Sequence, residues 1–172
     1  APSRRGETSR ILPSLERFYS CIEKITSPGT LDGGDVMQVG EHFYIGISAR
    51  TNLAGANQLI SILERYGMSG ATVPVTECLH LKTGVTCVSE KTLLATGAYV
   101  SRPEFAGFKV LPVSDAEYAA ANCIHINGKL LMPAGFPLAR QQLIAEGAQV
   151  IEVDISEYAK LDGGLTCLSL RF

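Results

Sequence analysis

No stretch of this chain stays apolar over the roughly 18–20 residues that a membrane-crossing helix needs. Net charge is also scarce: 15 Lys and Arg against 17 Asp and Glu leave a formal −2. A general nucleic-acid binder needs clustered cations for counterion release, so that class is not expected. Cysteines number five, an odd count, and none stand in a CxxC pair. A disulfide framework and a zinc knuckle are therefore both unexpected, and a reducing, cytoplasmic setting is the default. There is no linker, low-complexity run or charge block, so residues 1–172 read as a single domain. An initiating Met is lacking as well. The chain opens Ala1-Pro2-Ser3-Arg4-Arg5 with no leader-like apolar segment, and reads as entered in its middle.

What is present is a chain 46% hydrophobic and long enough to bury a sizeable core, on the order of 70% of its unfolded surface. It repeats itself. Val73-Pro74-Val75-Thr76 precedes Gly84-Val85-Thr86-Cys87, Leu111-Pro112-Val113-Ser114 precedes Ala121-Asn122-Cys123-Ile124, and Ile151-Glu152-Val153-Asp154 precedes Gly164-Leu165-Thr166-Cys167. Each unit predicts two apolar strands with Cys early in the second. Gly33-Gly34-Asp35-Val36 is an earlier copy, with Asp35 at the Cys position.

Helical spacing lies between the strand pairs. Asn52 to Tyr66 places Leu53, Ala56, Leu59, Ile60 and Leu63 on one face, with Gly67 as a stop. Pro137 to Glu146 turns Leu138, Leu143 and Ile144 inward, with Pro in the first turn. Arg5 to Lys24 predicts a third helix burying Ile11, Leu12, Leu15 and Phe18. Phe43–Ile47, Thr92–Ala95 and Leu130–Met132 predict strands, the last after an Asn127-Gly128 hairpin turn. The fold class is α/β, about three strand–helix repeats that a ring would close.

The residues that could carry chemistry are few. Cys87, Cys123 and Cys167 read as equivalent, and a small core residue at a strand start explains all three. Cys167 alone follows two glycines, Gly163 and Gly164, so a nucleophile is an equal reading there. Cys21 and Cys78 read as structural. His80 alternates with Leu79 and Leu81, and is either a hydrogen-bonded structural residue or an acid/base. His42 and His125 read as surface residues. Cys123 with His125 lacks further metal ligands. Asp32 and Asp35 bracket Gly33-Gly34, either as a tight turn or as a group that orients a histidine or holds a cation. A Cys, a His and a carboxylate from separate repeats would make a nucleophile, an acid/base and an orienting group.

Taken in order, these stretches resemble the dimethylarginine dimethylaminohydrolases, a family of guanidine-modifying enzymes. The resemblance rests on Thr30-Leu31-Asp32-Gly33-Gly34-Asp35-Val36, Ser48-Ala49-Arg50-Thr51-Asn52, Leu79-His80-Leu81-Lys82, Ala121-Asn122-Cys123-Ile124 and Leu161-Asp162-Gly163-Gly164-Leu165-Thr166-Cys167-Leu168-Ser169, after the opening Ala1 to Arg5. It implies a pseudo-fivefold ring of ββαβ units, an α/β-propeller, of which this chain holds about three. It implies Cys167 as nucleophile, His80 as general acid/base and Asp32 as the group orienting His80. Arg4 and Arg50 would bind the substrate α-carboxylate, and the Leu161 carbonyl the α-amino group. The reaction implied is hydrolysis of asymmetric dimethylarginine or monomethylarginine to citrulline, through a covalent thiouronium on Cys167. The cationic substrate would itself favour the thiolate by charge pairing.

No metal or organic cofactor is implied, although zinc could inhibit by capturing a Cys/His pair. The expected partner is the small-molecule substrate, with no nucleic acid and no membrane, and a homodimer is allowed. Arginine deiminases, the nearest relatives, carry an acidic residue where Lys82 stands, which favours the methylarginine reaction here.

The family's chains are longer. Their N-terminal repeats and the carboxylates that grip the guanidinium have no counterpart in this sequence, which reads as a C-terminal portion of the ring. A silent fragment that binds a complementary chain or itself is therefore a second hypothesis. A papain-like protease has the right residue types but no protease signature around Cys167.

Overall fold

The computed structural model describes residues 6–169. It contains three three-stranded sheets of one design. In the first, β1 (Val36–Val39) pairs antiparallel with β2 (His42–Ile47), helix α2 (Leu53–Arg65) crosses over, and β3 (Ser69–Pro74) pairs parallel with β2. The third sheet repeats this with β7 (Ile124–Ile126), β8 (Lys129–Pro133), α4 (Pro137–Ala145) and β9 (Gln149–Val153). The second has β4 (Val85–Ser89), β5 (Thr92–Thr96) and β6 (Lys109–Val113), and its crossover is two 3-10 turns, Gly97–Ser101 and Pro103–Phe105, instead of an α-helix. Those turns bury Tyr99 and Phe105, which do the covering a helix does elsewhere. The first strands of successive units touch, β1 against β4 and β4 against β7.

The core lies between the sheets, because alternate residues of the middle sheet point to opposite faces. Leu93 joins Tyr44, Val73, Leu81 and Val85 on the side of the first sheet. Its neighbour Leu94 joins Leu111, Leu130, Met132 and Leu143 on the side of the third. The middle sheet is thus covered on both faces, and β5 is almost wholly buried.

Local chemistry sets the boundaries. Asn52 caps α2 by accepting from Gly55 N at 2.8 Å, and Gly67 adopts φ +75° just past its end, as expected from the sequence. Asn127 and Gly128, at φ 51° and 72°, turn β7 into β8. Glu117 lies buried in the connection before β7, and its carboxylate accepts from Leu138 N and Ala139 N at the start of α4.

The structure corrects several helical expectations. The first helix, α1, runs Glu7–Leu15 rather than to Lys24, because Phe18 N and Tyr19 N both bond the Leu15 carbonyl and close it in a turn. Ile11, Leu12 and Leu15 are only half-buried, and Phe18 is 67% exposed. Leu53, Leu138 and Ile144 are exposed, since α2 and α4 pack through a narrower stripe that buries Ala56 with Leu63 and Ala139 with Leu143.

The cysteine equivalence also fails. Counted from the first parallel pair of each sheet, Tyr44, Leu94 and Leu131 are level, and so are their partners Met37, Thr86 and Ile124. Cys123 therefore matches Val85, and Cys87 matches His125. Asp35 matches Gly84 and Asn122 rather than a cysteine. Cys167 lies in a 3-10 turn, Leu165–Leu168, not at a strand start.

Candidate active site

The double glycine is needed for contact, not only for turning. Asp32 Oδ1 accepts from Gly34 N at 3.0 Å and starts the 3-10 turn Gly33–Asp35. A Cβ at Gly34 would lie 2.6 Å from the His80 ring, so only glycine lets this turn close on the imidazole. His80 lies in a bend, but it does not alternate with its leucines as the sequence implied. It precedes the four-residue helix α3 (Leu81–Gly84), with Leu79 exposed and both His80 and Leu81 buried.

His80 Nε2 lies 3.4 Å from Asp32 Oδ2, within ion-pair reach but without hydrogen-bond geometry. Arg50 NH1 approaches the same oxygen at 3.7 Å. One half-buried carboxylate oxygen thus faces the imidazole and the guanidinium together. It faces the His80 ring and holds Arg50 at the edge of the site.

Behind them lies a fully buried carboxylate, Asp35. Its Oδ2 accepts from Ser48 Oγ and Thr51 Oγ1, both at 2.7 Å, and its Oδ1 accepts from Leu81 N at 3.0 Å. The two hydroxyls pass the contact on. Thr51 Oγ1 accepts from Asp32 N at 3.0 Å, and Ser48 Oγ accepts from Arg50 N at 3.0 Å. The buried charge is satisfied entirely by donors, as it must be.

Cys167 occupies a separate segment. It is exposed, and its N–H donates to the Gly164 carbonyl at 3.1 Å. Its turn packs against β8 and is held by Asn122, whose Oδ1 accepts from Thr166 N at 3.0 Å. Gly164 packs so closely on the Asn122 side chain that a Cβ there would come within 2.8 Å. Asn122 is itself held by Thr86, which donates to the Ala121 carbonyl at 2.6 Å and accepts from Cys123 N at 3.1 Å.

Leu161, between helix α5 (Ser156–Ala159) and this turn, is 87% exposed. Arg4 lies outside the described residues. The structure therefore joins Asp32, His80 and Arg50 in one cluster, while Cys167 and Leu161 lie on a later segment of the chain. Among the described residues no hydrogen bond or ion pair links Cys167 to His80.

Cys78, Cys87 and Cys123 are unsuited to chemistry. Burial pushes the Cys123 thiol up to about 12, and its Sγ donates to the Ala120 carbonyl. Burial raises Cys78 and Cys87 too, with Glu77 and Glu90 adding to it. His125 is exposed as expected, while His42 is half-buried, paired through Nδ1 with Ser69 Oγ at 2.8 Å and packed edge-on to Tyr44. Among the described residues no group of three His, Cys, Asp or Glu could hold a metal, and no helix is long and apolar enough to cross a membrane.

Sequence reading missed Ser48, Thr51, Thr86 and Asn122 as supports. Their signal was a polar residue at the mouth of an apolar strand or turn, which by itself has many explanations.

A family model described as arginine deiminase matches residues 14–106. The N(G),N(G)-dimethylarginine dimethylaminohydrolase of Pseudomonas aeruginosa is 51% identical over all of this chain and 68% of its own length. The protein of the same name from Streptomyces coelicolor is 37% identical over 99% of this chain and 66% of its own. The chain thus spans about two thirds of the length of these relatives. A crystal structure of the Pseudomonas aeruginosa enzyme, a cysteine-to-serine mutant complexed with citrulline, superposes with a TM-score of 0.96 over the whole chain and 68% of that structure.

Proposed function

Because this chain belongs to the dimethylarginine dimethylaminohydrolase family, we propose that it hydrolyses Nω-methylated arginines to citrulline and an alkylamine. The observation that carries the reading is the single Asp32 oxygen facing both the His80 imidazole and the Arg50 guanidinium. That arrangement sets a proton carrier beside a cation able to receive a carboxylate.

The chemistry follows from the substrate. A guanidinium carbon is stabilised by delocalisation and needs a strong, soft nucleophile, which a thiolate provides. The Cys167 sulfur forms a bond to that carbon. His80 gives its proton to the leaving nitrogen, the C–N bond breaks, and dimethylamine or methylamine departs. A thiouronium remains on Cys167. His80, now neutral, takes a proton from water as its oxygen adds to the same carbon. The S–C bond breaks as the remaining hydroxyl proton passes to solvent, and citrulline is released with the thiolate restored and His80 protonated again. Asp32 keeps the imidazole oriented through both proton transfers. Arg50 holds the α-carboxylate by charge-assisted hydrogen bonds, together with Arg4, and the Leu161 carbonyl receives the α-ammonium.

The three sheets, with first strands in contact, support a larger ring of five ββαβ units, in which the site would face the central channel. The deiminase description of the family model favours a second reading, removal of ammonia from arginine itself. Lys82 stands against it, because the arginine deiminases that the sequence resembles carry an acidic residue where Lys82 stands. The test is incubation with asymmetric dimethylarginine and, separately, arginine. Citrulline with dimethylamine from the first and none from the second is the expected outcome. Citrulline and ammonia from arginine would move the protein to the deiminases.

A further inference from the structure

We infer that Asp35 and Asn122 are a matched pair of positioning residues, one setting the acid/base and the other the nucleophile. The inference rests on the proposed roles of His80 and Cys167. The strand registers make Asp35 and Asn122 equivalent, each one residue before the level of Val36 and Cys123. Both are buried, and each extends an oxygen to a backbone N–H beside a reacting residue further along the chain. Asp35 Oδ1 takes Leu81 N, directly after His80, at 3.0 Å. Asn122 Oδ1 takes Thr166 N, directly before Cys167, at 3.0 Å.

The middle unit has Gly84 at this level and reaches nothing with a side chain. A unit therefore forms without the group, so its presence in the other two is not a demand of the fold. In both units a strand-mouth side chain fixes the loop that carries a reacting residue.

The two differ in what else they hold. Asp35 also anchors Ser48 and Thr51, and so the Arg50 loop and the Asp32 backbone. Among the described residues the Asn122 side chain holds only the Cys167 turn, whose Gly164 packs against it. The pair should thus separate kinetically. Loss of Asp35 disturbs His80 and Arg50 together, and lowers kcat while raising KM. Loss of Asn122 disturbs the nucleophile and lowers kcat at nearly constant KM. Misplacement on this scale costs about 10–100-fold in rate.

The experiment compares Asp35→Ala and Asn122→Ala in the whole protein by steady-state kinetics and by amide hydrogen exchange. The Leu81 amide should exchange about tenfold faster in the first variant and the Thr166 amide about tenfold faster in the second, as for loss of one hydrogen bond. Each should leave the other amide unchanged. Asp35→Val, which keeps most of the volume and offers no acceptor, replaces Asp35→Ala if that variant does not fold, and Asp35→Asn, which keeps one acceptor, should retain protection at Leu81. Asn122→Asp keeps the acceptor and should restore protection at Thr166.

Unchanged exchange at the assigned amide overturns the inference, and so does acceleration of both amides by either variant. Equal effects on kcat and KM in the two variants would overturn it as well. Should the wild-type protein form no citrulline, the functional reading fails. The exchange measurements need no turnover and still decide whether the two side chains hold these loops.

Discussion

Replacing Cys167 by Ser is expected to lower citrulline formation by more than about 10⁴-fold, the scale lost when the nucleophile of a concerted group is removed. The resonance-stabilised guanidinium carbon leaves little room for a weaker nucleophile. A serine hydroxyl is largely protonated at neutral pH, and among the described residues the turn supplies no base in hydrogen-bond contact with it. Thermal unfolding should scarcely change, because residue 167 is exposed and such substitutions fall within about 0.5 kcal/mol. A serine variant retaining a tenth of the activity would remove the nucleophile from Cys167. Attention would then pass to Cys21, the other exposed thiol, because burial raises Cys78, Cys87 and Cys123.

The second large effect is expected at His80. His80→Ala should reduce kcat by about 10²–10⁴-fold, the usual contribution of a positioned acid/base. Both proton transfers pass through this ring, so departure of the amine and attack of water slow together. The substitution also leaves a hole between the Gly33–Asp35 turn and Asp32, where the imidazole packed against Gly34. Added imidazole should therefore restore part of the activity by occupying that hole. Rescue by imidazole in His80→Ala, and none in Cys167→Ser, separates a missing proton carrier from a missing nucleophile. Full activity in His80→Ala would show that Asp32 and Arg50 flank a structural histidine.

Much of the scaffold was legible because it is written in local signals. The Asn127-Gly128 turn and the Asn52 cap each impose one backbone geometry, and the elements beside them lie where the sequence puts them. The candidate site residues were legible as motifs, and Asp32, His80 and Arg50 do meet. What was not legible was register. Cys87 and Cys123 are displaced by two residues in the units they occupy, and side chains on a strand alternate with period two. A slip of two leaves the inward and outward pattern intact, so apolar patterning could not reveal it.

The element around His80 was hidden for another reason. The segment from Val75 to Leu79 has no periodicity, and α3 exists because Leu81 is buried against the sheets while its N–H is taken by Asp35. Phe18, Leu53, Leu138 and Ile144 show the converse limit. Spacing gives the apolar side of a helix, but only the neighbouring sheet decides how wide a stripe it covers.

The most direct test of the account is the mass of the protein during turnover. Acid quenching with asymmetric dimethylarginine present, followed by peptide mass analysis, should find a thiouronium adduct on the peptide bearing Cys167. The other four cysteines should be unmodified. Citrulline formed with no adduct on any cysteine, or with the adduct on a thiol other than Cys167, would contradict it.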